Sequence, residues 1–290
     1  MAGTGIELPG AVDMHLHYGP AAVPPEYSFV THSVTALEAA RQAAEAGFAA
    51  IVLKAKDSVT AGVAHVVEEV VEGIRVFGGV VLDHPVGGLN PVAVEQTMLL
   101  GGKVVWLPTT GSRNDVELHG TPGPAIPITD GEGELLPVVH DIFDIVSAHG
   151  ALLATGHVGF DEHLAIAREF GPSGRVIATH VGDEGGGPGL SAEECMQLAA
   201  HGVVMEFSGL TCLDHWGVAA MDMDRHAAMI RAVGVEASIL SGDYGWSADL
   251  PRPVPGLQQY YEALWKAGFS EDELRLMACD TPARLLGLTA

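Results

Sequence analysis

AVDMHLH, residues 11–17, is the stretch from which the fold of this chain can be worked out. Its apolar residues predict a buried β-strand. Side chains alternate between the two faces of a strand, so His15 and His17 point to the same side. Neutral imidazole is a good ligand for zinc and similar ions, and two imidazoles at a strand end can grip one ion. Because most His-x-His pairs bind nothing, the metal hypothesis needs similar residues at the ends of other strands.

Length and composition favour a large α/β protein. The chain has 290 residues and 37 glycines, and aromatic residues make up only 6%. Barrels of alternating strands and helices, of about 250 residues, commonly form one domain, so we expect residues 1–290 to be a single domain. The formal net charge is −23, from 37 acidic against 14 basic residues. So acidic a surface argues against nucleic acid or an anionic membrane as a partner.

The sequence also predicts a cytoplasmic protein. Its three cysteines, Cys195, Cys212 and Cys279, are far apart and form no Cys-x-x-Cys motif. This spacing suits a reducing compartment. The first ten residues have neither the basic region nor the apolar core of a signal peptide. No window approaches the roughly 18 apolar residues that a membrane span requires.

Eight short apolar runs are the main repeating pattern, and helical patterns separate nearly all of them. Strict alternation of strands and helices predicts a parallel sheet. Eight such units predict a closed (β/α)8 barrel of the TIM type. A doubly wound open sheet is the alternative, but no G-x-G-x-x-G motif follows the first strand. The predicted strands are 11–17, 49–54, 75–82, 103–107, 151–157, 176–180, 203–207 and 237–243.

The segment 109–136 interrupts this pattern. It is rich in proline and glycine and shows no helical period. Residues 126–136 have the composition of a small hairpin. A long connection after a barrel strand often covers the substrate. We therefore expect a lid loop or hairpin here.

Polar residues end several of the predicted strands. The C-terminal ends of barrel strands converge on one face, where active sites lie. Four histidines and an aspartate in this arrangement are hard to attribute to chance. The sequence therefore predicts a metal site at the barrel mouth. The strand-end residues are His15, His17, Lys54, His157, His180 and Asp243.

This pattern resembles the amidohydrolase superfamily of metal-dependent hydrolases, over essentially the whole chain. The closer resemblance is to a poorly characterised bacterial amidohydrolase-like family, which adds information on the fold and little on the substrate. The segments that carry it are VDMHLHYGP, GGLNPVAVEQTMLLGGKVVWLPTT, LLATGHVGFDEH, VIATHVG, LSGDYGW and TPARLLGL.

The resemblance implies one or two divalent metal ions, with zinc as the expected metal. It implies that His15, His17 and Asp243 hold a buried ion and that His157 and His180 hold a second, more exposed one. Asp243 would accept a proton from a metal-bound hydroxide, and the second ion or His180 would polarise the substrate carbonyl. With a single ion, the implied ligands are His15, His17, His157 and Asp243, which frees His180 for catalysis.

One departure from the superfamily concerns the bridging ligand. Many relatives with two metals carry a carboxylated lysine at the end of strand 4, but here that strand ends in Leu107-Pro108-Thr109. Lys54 ends strand 2 instead, from which some members take their bridge. Lys54 is therefore either a carboxylated bridge or a plain ammonium that binds an anionic substrate.

Four further residues are candidates for substrate contact. Lys56 shares a strand face with Lys54. His84 follows strand 3, and Trp246 follows Asp243 closely enough to form a wall. Glu206, near the end of strand 7, would contact either substrate or the groups behind the ligands.

Three functions compete. The first is a hydrolase that opens a C–N or C–O bond of a small molecule, such as an amide, cyclic amide, lactone or ester. Lys54, Lys56 and Arg113 near the mouth favour a substrate that bears a carboxylate. The second is a decarboxylase, another lyase or an isomerase of the same superfamily. The third, a metal-binding protein without catalysis, is disfavoured by Asp243, which such a protein would not need as a base. The one protein partner left open is a second copy of the chain, in a homo-oligomer.

Overall fold

Eight parallel strands form one sheet in which each strand pairs with its neighbour in the sequence. The computed structural model describes residues 6–21, 31–121, 123–215 and 217–288. The strands are β1 (Val12–His17), β2 (Ala50–Lys54), β3 (Arg75–Val81), β4 (Val104–Trp106), β5 (Leu152–Ala154), β6 (Val176–Ala178), β7 (Val204–Ser208) and β8 (Ser238–Ser241).

Helices follow the strands and cover the outside of the sheet. Side chains cap the first turn of several helices. The side chain of Asn90, which precedes Pro91, accepts hydrogen bonds from the backbone amides of Val92 and Ala93, as the Asn-Pro sequence predicts. Within the described residues, no helix is long and apolar enough to span a bilayer. The helices are α1 (Ala36–Glu45), α2 (Ala61–Val70), α3 (Pro91–Leu99), α4 (Arg113–His119), α5 (Pro137–Ala148), α6 (Phe160–Phe170), α7 (Ala192–Ala200), α8 (Met223–Val233), α9 (Pro253–Lys266), α10 (Glu271–Arg275) and α11 (Thr281–Leu286), with a π-helical turn at Leu276–Asp280.

The sheet closes where the first strand meets the last. The backbone amide of Asp243 donates to the carbonyl of His15, and that of His17 donates to Tyr244, both at 2.8 Å. These bonds join the C-terminal ends of β1 and β8. The predicted (β/α)8 barrel is confirmed, and its closing seam lies at the residues that were expected to bind metal.

Strand β1 carries a bulge that changes which residues face the barrel interior. Asp13 pairs with Ile51 and Leu16 with Leu53, so three steps along β1 match two along β2. Met14 packs with the interior side chains, whereas Leu16 packs with the layer between sheet and helices. The extra residue therefore lets His15 and His17 follow Met14 into the interior.

The connection after β4 differs from its prediction in one respect. It contains the short helix α4, so the expectation that 109–136 lacks a helix is wrong. The signal was present, because Ser112 caps α4 and Asp115 follows three residues later. The hairpin has a counterpart in the antiparallel bridge between Thr129 and Leu135. The role of the segment as a lid stays a prediction.

Candidate metal centre

Three predicted ligands meet at the closing seam of the barrel. His15 Nε2 and His17 Nε2 lie 3.2 Å apart, and each is 3.1 Å from Asp243 Oδ1. Donors about 2.05 Å from one tetrahedral ion are separated by about 3.3 Å. All three side chains are buried, and their donor atoms form a group that could hold a metal ion. Two imidazole nitrogens and a carboxylate oxygen also suit zinc chemically, so the residues fit the metal that the sequence implies.

Asp13 braces the backbone that carries these ligands. Its Oδ1 accepts hydrogen bonds from the amides of His15 (3.1 Å) and Gly242 (3.0 Å). Asp243, the next residue, has a φ of 56°, in the left-handed region that non-glycine residues seldom adopt. One buried carboxylate thus ties the bulge in β1 to the sharp turn after β8. Burial raises the pKa of Asp13 to about 7, against the effect of these hydrogen bonds.

Glu206, on β7, links β1, β8 and the segment after β6 behind the ligand set. With its proton on Nδ1, His15 donates to Glu206 Oε1 at 2.9 Å. Ser241 Oγ donates to the same oxygen at 2.6 Å, and the amide of His180 donates to Oε2 at 3.1 Å. Both carboxylate oxygens of Glu206 therefore accept hydrogen bonds from other groups of the chain. The bond to His15 Nδ1 leaves Nε2 as the nitrogen that faces Asp243.

The protonation states suit metal binding. Burial lowers the pKa of His17 well below its usual value and that of His180 to about 3, so both rings are neutral at pH 7. Burial opposes ionisation of Asp243, but His15 and the hydrogen bonds from both histidines hold its pKa well below the usual range. Burial also works against protonation of His15, yet the Asp243 and Glu206 carboxylates raise its pKa overall. His15 is thus the ring whose proton competes most with a metal.

The predicted ligands of the second ion lie beside the first group. His157 and His180 have ring centroids 4.9 Å apart, and the His180 ring stacks on that of His15 at 5.5 Å. His180 Nε2 is 4.0 Å from Asp243 Oδ2. The chain therefore brings all four histidine rings together at the C-terminal end of the barrel. Their division between one or two ions stays a prediction.

Lys54, the last residue of β2, and Lys56, two residues beyond it, lie at different depths. Lys54 is buried, and its Nζ is 3.0 Å from His15 Nε2 and 5.4 Å from the centroid of the Trp106 ring. Lys56 is half-buried and lies with its Nζ 5.1 Å from the Trp246 ring. Trp246 in turn packs on His17 at 3.9 Å between ring centroids. The predicted wall is thus in contact with a candidate ligand.

His84 lies on the exposed turn after β3. Its Nε2 donates to the carbonyl of Pro124 at 2.8 Å, so the ring braces the connection after β4. Its proposed contact with substrate stays a prediction.

Two carboxylates of this centre, Asp13 and Asp115, were missed as functional residues in the sequence. Asp115 Oδ1 lies 3.0 Å from His157 Nδ1. Asp13 was passed over because simple alternation treats it as one more strand residue. No local sequence pattern predicts the β-bulge that lets Asp13 accept these hydrogen bonds.

Comparisons with known proteins bear on the family and on the fold. Residues 10–206 match the model of the family described as "Family of unknown function (DUF6282)". Comparison with curated protein sequences gives no match. An amidohydrolase from Pseudomonas aeruginosa has a similar structure, with 16% identity, a TM-score of 0.60 and 95% of each chain covered.

Two further solved structures extend the range of chemistry on this fold. N-isopropylammelide isopropylaminohydrolase from Burkholderia multivorans is 18% identical, with a TM-score of 0.57 over 98% of this chain and 76% of that one. 2,6-Dihydroxybenzoate decarboxylase from Rhizobium is 11% identical, with a TM-score of 0.54 over 98% and 99%. Identities this low show a common fold only, so the expected resemblance to the amidohydrolase superfamily is confirmed at the level of the fold. By the match over 10–206, the chain belongs to the DUF6282 family.

Proposed function

We propose that this protein is a metal-dependent hydrolase that opens a C–N or C–O bond of a small carboxylate-bearing molecule. The observation that carries the proposal is the group of His15, His17 and Asp243, whose donor atoms lie 3.1–3.2 Å apart at the barrel mouth. A bound divalent ion supplies a Lewis acid that lowers the pKa of a water molecule to about 7. Asp243 supplies an ionised carboxylate whose Oδ2 is directed toward His180.

Within this proposal, the Asp243 carboxylate accepts a proton from the attacking water and delivers it to the leaving group. His180, neutral and 4.0 Å from Asp243 Oδ2, is positioned to polarise the bond under attack or to bind a second ion. His15 and His17 serve as ligands, held by Glu206 and by the packing of Trp246. Small amides, cyclic amides and lactones with a free carboxylate are the first substrates to screen.

The test of hydrolysis is the source of the oxygen in the product. Metal content is first measured on the purified protein, then turnover is run in ¹⁸O-labelled water. We expect one ¹⁸O atom in the newly formed carboxylate and loss of activity on chelation, with recovery on adding zinc. A protein that neither binds a divalent metal nor incorporates the label would contradict the proposal.

A decarboxylase is the second candidate. Leu107-Pro108 follows β4, with no lysine or glutamate to bridge two ions. The Rhizobium decarboxylase shares the fold, and cations at the mouth would hold a carboxylate equally well before its loss as CO₂. The same labelling experiment separates the two reactions, because decarboxylation releases CO₂ and leaves no labelled carboxylate.

Support for an anionic substrate comes from Lys56. The chain has four lysines against 37 acidic residues. The exposed Lys266 pairs with Glu262 at 2.6 Å, whereas Lys56 has no ion pair in the part of the chain that the structure describes. Its ammonium instead lies over the ring that packs on His17. A substrate carboxylate would give this cation its counter-charge.

The Lys56→Met variant is therefore expected to raise KM about 10-fold for a carboxylate substrate and to leave kcat nearly unchanged. A hydrogen bond to a charged group contributes roughly 1.5–3 kcal/mol, which corresponds to a factor of 10 or more in binding. Steady-state kinetics measure this, with Lys266→Met as the matched control. An unchanged KM, or an equal rise for the methyl ester of the same substrate, would contradict the assignment.

We further propose that Lys54 is carboxylated when metal is bound. An ammonium 3.0 Å from His15 Nε2 would repel a divalent ion on that nitrogen. Burial lowers the pKa of Lys54 to about 8, which raises the share of neutral amine at pH 7. The neutral amine nitrogen would form a bond to the carbon of CO₂ and release one proton to solvent, and the resulting carbamate would offer an anionic oxygen ligand. The alternative role is a plain ammonium that binds the substrate carboxylate.

Carbon-13 NMR separates these two roles. Protein reconstituted with zinc and ¹³C-bicarbonate is expected to give a carbamate signal that the Lys54→Gln variant lacks. The Lys103→Gln variant serves as control, because Lys103 directly precedes β4, at the other end of the barrel. If wild-type protein shows no signal and binds one metal, Lys54 is not a bridge.

A further inference from the structure

Helix α4 brings a buried carboxylate into contact with one of the candidate metal ligands. Asp115 and His157 are each 3% exposed, and Asp115 Oδ1 lies 3.0 Å from His157 Nδ1. The pair joins the connection after β4 to the end of β5. An ionised carboxylate can only accept, so His157 donates from Nδ1.

Ser112 fixes this contact from the start of α4. Its Oγ accepts from the amide of Asp115 and donates to the carbonyl of His157, both at 3.0 Å. The residue that caps the helix thus holds both members of the pair. Because Ser112 is fully buried, water does not compete for these bonds. The Asp115–His157 geometry is therefore fixed by the backbone at both ends.

The contact with Asp115 determines the state of the other ring nitrogen of His157, Nε2. With the proton on Nδ1, His157 Nε2 carries a free lone pair, and the ring faces His180 at 4.9 Å between centroids. A carboxylate behind a ligating histidine fixes its tautomer and strengthens it as a donor.

We propose that Asp115 is a positioning residue that sets His157 as a metal donor, so that the connection after β4 is part of the metal centre. This rests on the proposed function in assigning a metal to the pocket. It gives each predicted ion its own supporting carboxylate: Glu206 behind His15 and Asp115 behind His157. It also makes occupancy of the more exposed position depend on α4 staying in place.

The test compares Asp115→Asn with Glu117→Gln, an acid-to-amide change at an exposed position of the same helix. In metal-free protein, ¹⁵N NMR of the histidine rings is expected to show His157 protonated on Nδ1 in the wild type and in Glu117→Gln. In Asp115→Asn, the amide can donate to Nδ1 as well as accept from it, so a substantial share of Nε2–H tautomer is expected. Chelator competition is expected to show about 10–100-fold weaker binding of the metal that His157 holds.

The proposal is overturned if Asp115→Asn shows the same His157 tautomer and the same metal affinity as Glu117→Gln. If Asp115→Asn does not fold, Ser112→Ala takes its place, because it removes the brace and leaves the carboxylate. In that variant the tautomer is expected to become mixed and metal binding to weaken. The tautomer readout needs no metal, so failure of the proposed function, seen as a wild type that binds no metal, is distinguishable from failure of this inference.

Discussion

Turnover by the Asp243→Asn variant is expected to fall by at least about 100-fold, while the protein stays folded and keeps much of its metal. Asparagine has nearly the same shape and keeps an oxygen near His15 and His17, from which Asp243 Oδ1 lies 3.1 Å. The amide cannot take up a proton at neutral pH, and general acid–base catalysis contributes about 10²–10⁴-fold. Rate measurements under saturating substrate and zinc test this directly.

The control for this prediction is Asp249→Asn, six residues further along the chain. Asp249 is exposed, so the same chemical change there should leave kcat and metal content unaltered. Metal analysis is needed beside the rate, because a variant that lost its ion would be inactive for another reason. Full activity in Asp243→Asn would rule out this aspartate as the base.

Replacing Glu206 with alanine is expected to lower the stability of the metal-free protein by about 3 kcal/mol and to weaken metal binding by about 10–100-fold. The change leaves three buried donors, His15 Nδ1, Ser241 Oγ and the amide of His180, without their acceptor. Each buried donor without a partner costs roughly 1–3 kcal/mol, reduced where the site relaxes or admits water. His15 also loses the bond that sets its Nε2 toward the ion. Urea unfolding and chelator competition measure the two effects.

Glu206 also gives the stability a defined pH dependence. Burial opposes its ionisation, but the charge and hydrogen bond of His15 lead the effects that lower its pKa from 4.5 to about 2. A group whose pKa is lower in the folded state stabilises fully above its unfolded pKa and loses that contribution as pH falls through the folded value. We therefore expect about 3 kcal/mol of stability to disappear between about pH 4.5 and pH 2.

The Glu206→Gln variant tests this linkage. Its side chain cannot ionise, so the fall in stability over that range should be about 3 kcal/mol smaller than in the wild type. Glu193→Gln, at an exposed position of α7, is the control and should keep the wild-type slope. Equal slopes in all three proteins would show that Glu206 is not the group that titrates.

The residues that end strands were predictable from sequence because a barrel has a simple rule. Parallel strands in order place all their C-terminal ends on one face. His15, His17 and Asp243 could therefore be grouped even though Asp243 lies more than 200 residues away. Alternation within the strand added that both histidines share a face. Neither argument needs side-chain coordinates.

The supporting residues were not predictable in the same way. Glu206 was expected near the pocket, but whether it touches substrate or ligands depends on which donors surround it in space. Its three donors come from β1, from β8 and from the segment after β6, which no local pattern relates to β7. Asp115 lies in a segment that we predicted to be a loop or hairpin. The spacing of Ser112 and Asp115 is typical of a helix start, but it does not indicate which side chain Asp115 contacts.

The sequence by itself determined the barrel and the end at which the candidate ligands lie, because periodicity and strand order act through the backbone alone. Only the tertiary structure decided the bulge at Asp13, the pairing of each histidine with its carboxylate and the depth of Lys54. These depend on distances of a few ångströms between side chains far apart in the chain. Such distances follow from how the strands close and pack, and that closure sets which ring nitrogen is left to face the pocket.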